Sequence, residues 1–221
     1  MNLPDSLLSI TAATIGWLSL VIALWLAAYR APWRAVLRMP LRQHLILACI
    51  AFLIFLWFLR ADTLPGLSLH FLGLTAVTLL IGWPFALIAG TLALIILAPS
   101  GYAGMAGLGI DFWGMIVPPI AVTVLISYSA QRFLPANFFV YLFVDVFLSA
   151  LLGALAAAVT SSLLMVALDL YSWSTLWQSY LASSLLLTIP EGIANGMIMT
   201  ALALLVPTWV ISFDEKRYFA D

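Results

Sequence analysis

Three carboxylates and one imidazole interrupt stretches that are otherwise nearly free of ionisable groups: His70, Asp111, Asp145 and Glu191. Such groups inside or at the rim of a bilayer are expensive, so each marks a bundle interior, a wet cavity or a partner. His70 and Asp111 each open an apolar run, where an imidazole nitrogen and a carboxylate at one membrane face are potential donors to a cation. Glu191 lies mid-run in Ile189-Pro190-Glu191-Gly192-Ile193-Ala194-Asn195-Gly196, where proline removes a backbone donor and suggests a kink with freed carbonyls. Two chemistries fit it: a proton or ion relay, or a desolvated carboxylate that pins neighbouring helices, with Asn195 one turn along the same face. Asp145 stands about two turns in from the opposite face. These acids do not cluster as a catalytic pair. With no HExxH, no Walker lysine and no paired histidines for haem, the chain reads as neither an enzyme nor the holder of a permanent cofactor. The single Cys49 has no partner for a disulfide or a CxxC metal site, and His44 reads as solvated surface.

The elements that position these groups are membrane spans. Of 221 residues, 65% are hydrophobic and 8% charged, too few charges to cover a soluble globule. The fold class is therefore all-α, a polytopic membrane protein forming a single transmembrane domain over residues 1–221. The apolar runs give seven transmembrane helices: Leu7–Ala28, Leu45–Leu59, His70–Ile81, Pro84–Ala98, Asp111–Ala130, Asn137–Leu168 and Ser179–Val206. The third and fourth are short, covering about 18–23 Å of a ~30 Å apolar core, and they meet at Gly82-Trp83-Pro84. One long kinked helix is the alternative, and it leaves six spans. The sixth run carries a small-residue tract around Gly153 and Ala157 that suits close helix packing. Seven of the eight Lys and Arg (Arg30, Arg34, Arg38, Arg42, Arg132, Lys216 and Arg217) then share one side, and Arg60 falls on the other. The positive-inside bias sets the amino terminus outside and Asp221 inside. His70, Asp111, the amino terminus and the glycine-rich stretch Gly101–Gly109 converge on the outer face. The arginine loop marks the inner face and contacts anionic lipid or partner subunits; nothing in it calls for nucleic acid.

The block Leu69-His70-Phe71-Leu72-Gly73-Leu74, followed by a short run, Gly82-Trp83-Pro84, a second short run, a glycine-rich loop and Gly109-Ile110-Asp111-Phe112-Trp113-Gly114-Met115, resembles the CbiM/NikM family. Val144-Asp145-Val146 and Ile189-Pro190-Glu191-Gly192-Ile193 follow in the same order, so the similarity covers roughly residues 60 to 206. These are the substrate-capture membrane subunits of energy-coupling-factor cobalt and nickel transporters. The resemblance implies a seven-helix permease of the bacterial inner membrane that captures a divalent transition metal and works with separate ATPase and transmembrane coupling subunits. It implies ligands from the free amino terminus of Met1, the next residue and His70, with Asp111 beside them. The family begins Met-His, whereas this chain begins Met1-Asn2, and a carboxamide is a poorer metal ligand than imidazole. The alternative is a non-transporting scaffold or accessory subunit that kept the fold and lost the metal site.

Overall fold

A computed structural model describes residues 1–218; Asp221, expected on the inner side, lies outside the described residues. Helix α1 (Ile10–Arg30) is followed by the short α2 (Trp33–Arg38) and by α3 (Pro40–Phe58). Pro32 and Pro40 bracket α2, and Pro40 occupies the first turn of α3, where a missing N–H costs nothing. A two-stranded antiparallel hairpin follows, β1 (Ala61–Leu64) and β2 (Leu67–Leu69), pairing Asp62 with Ser68. It turns at Pro65-Gly66, with Gly66 at φ 85°, a combination that suits a turn needing a left-handed second position. Sequence patterning did not expose this hairpin, because its strands are only a few residues long.

The short pair comes next: α4 (Leu74–Ile81) and α5 (Trp83–Leu97), separated by Gly82 at φ 84°. Three long helices complete the bundle: α6 (Leu108–Phe133), α7 (Phe138–Ala167) and α8 (Trp173–Leu205). A final turn, α9 (Glu215–Tyr218), folds back beside α7, with Tyr218 stacked on Phe213 and tilted against Tyr141. Among the described residues six helices are long and apolar enough to cross a membrane. Helix α4, at eight residues, rises only about 12 Å.

The expected third span, His70–Ile81, is corrected at its start: the helix begins at Leu74, and Gly73 is left-handed at φ 66°. A helix this short leaves backbone groups exposed at membrane depth, and other elements must satisfy them. At its amino end, the Glu191 carboxylate accepts the N–H of Leu72 (2.8 Å) and of Gly73 (2.7 Å), and Asn195 Oδ1 accepts the N–H of Ala76 (2.8 Å). At its carboxyl end, the carbonyls of Leu79 and Leu80 accept N–H groups from Ser212 and Ile211. Every α4 residue except Leu80 is buried. Pro190 lies inside α8, which continues on both sides of it.

Helices α6, α7 and α8 each carry a π segment near one end: Phe112–Ile116, Tyr141–Leu148 and Trp177–Leu181. Such insertions turn side chains off the regular helical face and are common at functional sites. Apolar residues cover the outside of the bundle, Ile10, Trp25 and Phe55 among them, as lipid contact requires. Hereafter the end with the β hairpin is the hairpin end, and the end with Arg30 and Arg132 the arginine end.

Candidate cation-binding site

The amino-terminal segment is threaded into the hairpin end through a cradle of glycines. Gly104 donates its N–H to the Leu3 carbonyl at 2.8 Å, and Asp5 Oδ1 accepts the Ala106 N–H at 2.7 Å. A Cβ at Gly107 would lie 2.6 Å from the Leu3 carbonyl oxygen, and one at Gly104 would strike Asp5. Side chains there would push the segment out. Asn2 N–H is held by the Gly66 carbonyl at 3.0 Å. The Asp111 carboxylate, fully buried, accepts the Leu3 N–H on both oxygens at 3.2 Å.

Threading places Met1 inside the bundle. Its main-chain nitrogen lies 3.6 Å from Met115 Sδ. Burial lowers the proton affinity of this amine below the usual α-amino value; the Asp111 carboxylate opposes that shift and Arg60 adds to it. Met1, His70, Met115, Ser161, Tyr180 and Glu191 are among the residues that line a cavity of about 40 Å³, enough for an ion or one or two waters. Two π segments supply part of that wall, one with Met115 and one with Tyr180. Ser68 Oγ, also on the wall, has no hydrogen-bond partner among the described residues.

The structure brings only some of the residues singled out in the sequence to one place. Met1, His70 and Glu191 share the cavity. Asp111 joins the same end but is spent on Leu3, so it serves as the clamp of the amino-terminal segment and does not line the cavity. Asn2 turns its side chain away, with Nδ2 at 3.5 Å from Asp62 Oδ1, and lines a separate open recess. Asp145 is buried in the π segment of α7 and is not part of the cavity wall. Asn195 Nδ2 donates to Glu191 Oε1 at 2.8 Å.

Three residues escaped the sequence reading. Tyr102 places its hydroxyl 3.2 Å from His70 Nε2, Trp57 donates from Nε1 to the Leu72 carbonyl at 3.1 Å, and Arg60 covers the Tyr102 ring with its guanidinium 4.5 Å from the centroid. The signal for Arg60 was present: it is the lone cation on its side of the charge distribution. Among the described residues, no group of three or more His, Cys, Asp or Glu side chains is placed to hold a metal. The other donor types at this end are main-chain nitrogen, thioether and hydroxyl groups, beside His70.

The family of cobalt uptake substrate-specific transmembrane regions, CbiM, matches residues 2–209. The chain belongs to the CbiM family. It is a multi-pass membrane protein, and the match takes in the amino-terminal segment as well as the helical core. Two solved structures share the fold of this CbiM-family chain, each with a TM-score of 0.74. One is a truncated transition metal transporter at 20% identity, with 92% of this chain and 99% of that one aligned. The other is a transition metal transporter at 19% identity, with 93% of each chain aligned. No curated protein matches the sequence.

Proposed function

We propose that this CbiM-family chain is the membrane substrate-capture subunit of a transition-metal transporter, taking a divalent cation of the cobalt and nickel class at its hairpin end. The observation that carries this reading is the meeting of Met1 and His70 around one cavity of about 40 Å³, with the Met1 nitrogen 3.6 Å from Met115 Sδ on the same wall. An amine nitrogen and an imidazole suit late first-row cations better than calcium or magnesium, which prefer oxygen. The carboxylate of Glu191 on the same wall already accepts three hydrogen bonds, so its role is to hold the loop that carries His70.

The hairpin end faces outside the cell in this reading, and the arginine end faces the cytoplasm of a bacterial inner membrane. Separate ATPase and coupling subunits then drive release, docking at the arginine end. Reporter fusions should place Asp221 and the loops bearing Arg34 and Arg132 on the cytoplasmic side; an outward signal from any of the three overturns the orientation.

A second reading has its own support. Both imidazole nitrogens of His70 are engaged, and Asn2 turns towards Asp62, as in an accessory subunit without a metal. Metal content decides between them. Full-length protein purified from cells grown with cobalt, nickel or zinc should retain close to one equivalent, and His70→Ala should lose at least about tenfold in affinity, the effect of one ligand or its support. A metal-free wild type under all three conditions favours the accessory role.

A further inference from the structure

Of the two histidines in the chain, only His70 lies at the hairpin end, and its free lone pair is already taken. Nδ1 stands 3.0 Å from the Phe71 carbonyl, which can only accept, so Nδ1 carries the proton and Nε2 the lone pair. The Tyr102 hydroxyl sits 3.2 Å from Nε2. The Tyr102 phenol faces that lone pair and donates its O–H to it.

Tyr102 is itself held. Arg60 lies over its ring, donates to the carbonyls of Tyr102 (3.1 Å) and Gly101 (3.3 Å), and pairs through Nε with Asp62 Oδ1 at 3.1 Å. On its other flank Tyr102 lines an open recess of about 360 Å³ shared with Asn2 and Asp62. One aromatic side chain thus stands between an open recess that carries a carboxylate and the imidazole that lines the smaller cavity.

We propose that Tyr102, latched by Arg60, is a selectivity gate between a cation-receiving recess at Asp62 and the ligating nitrogen of His70. The proposal rests on the metal-capture reading and adds where the cation first lands and what screens it. A hydrated cation has room in the recess, and there it competes with Arg60 for the Asp62 carboxylate. Once Arg60 lets go, the Tyr102 ring loses its cover and the hydroxyl can leave Nε2. Entry then exchanges an O–H···N hydrogen bond for a metal–nitrogen bond. Cations with real affinity for imidazole make that exchange, whereas magnesium and calcium, which hold oxygen ligands and water, stay in the recess.

The gate is tested without metal by the reaction of His70 with diethyl pyrocarbonate, read by peptide mass mapping of the full chain in detergent. The background is His44→Gln, which leaves one histidine. Tyr102→Phe frees the lone pair, and Arg60→Gln removes the latch. Each should be carbethoxylated at His70 about fivefold faster than its parent, the factor that corresponds to one net hydrogen bond. Equal rates in folded variants overturn the gate. A second arm titrates nickel(II), cobalt(II) and magnesium(II) against the fluorescence of the same proteins, with Trp57 reporting from 6.1 Å to the His70 ring. Tyr102→Phe should tighten nickel and cobalt binding about fivefold and leave magnesium unchanged, and Asp62→Asn should slow nickel association. Faster carbethoxylation with unchanged nickel and cobalt affinity overturns the selectivity role. Faster carbethoxylation with no metal bound by any variant keeps the tyrosine block on His70 and overturns the capture reading instead.

Discussion

Glu191→Leu is expected to destabilise the protein by about 2–6 kcal/mol, because it strands two buried backbone donors at about 1–3 kcal/mol each. The Leu72 and Gly73 amides sit at the amino end of α4, at bilayer depth, with Glu191 as their acceptor. Leucine fills the space and offers them nothing. Glu191→Gln discriminates further. All three side-chain partners of the carboxylate are donors, namely two backbone N–H groups and Asn195 Nδ2. An acceptor on both oxygens is required, and a glutamine must turn its own NH₂ against one of the three. About 1–3 kcal/mol of loss follows for the amide variant as well. Thermal melting and yield in detergent read both. A Leu variant that melts with the wild type would show that α4 is capped by something else, and a silent Gln variant would mean that the group acts as a neutral acid.

The second large effect belongs to Gly109. Helices α1 and α6 cross here with backbone against backbone: a Cβ at Gly109 would run into the carbonyl group of Gly16 and lie 2.5 Å from the Trp17 nitrogen. No side chain is available to give way, so Gly109→Ala should force the helices apart and cost about 1–3 kcal/mol, the usual range for overpacking. The neighbouring Gly16→Ala is the control. Its Cβ would meet Ile110 Cγ1 at 3.0 Å and the Ile110 nitrogen at 3.2 Å, contacts relieved by shifts of a few tenths of an ångström, and the variant should be milder. Because α6 also presents Asp111 to Leu3 and Met115 to Met1, Gly109→Ala should loosen the amino-terminal segment too. Faster proteolysis ahead of α1 in that variant, and not in Gly16→Ala, is the measurement. Equal melting and equal cleavage in the two would remove the crossing from the account.

Composition and periodicity determined the class of this protein because the bilayer leaves few options: a chain this apolar with so few charges must bury its backbone polar groups in helices. The pairing of a short α4 with α5 at Gly82 was legible for the same reason, since proline and glycine within a long apolar run mark where a helix must stop. His70, Asp111, Glu191 and Asn195 stood out because ionisable and amide groups are conspicuous against such a background. What each of them does was not legible. Asp111 and the carboxylate expected beside a metal are one residue type, and only the path of residues 1–5 through the glycine cradle assigns Asp111 to the Leu3 amide. Asn2 neighbours Met1 in sequence yet faces the other side, because an extended backbone sends successive side chains to opposite faces. Tyr102 and Arg60 look like ordinary interfacial residues until the fold brings positions 60, 70 and 102 together. Sequence fixes which groups a membrane protein must satisfy, since their chemistry belongs to each residue alone. Which partner satisfies each group is settled by contacts between residues far apart in the chain, and those exist only once the helices have packed.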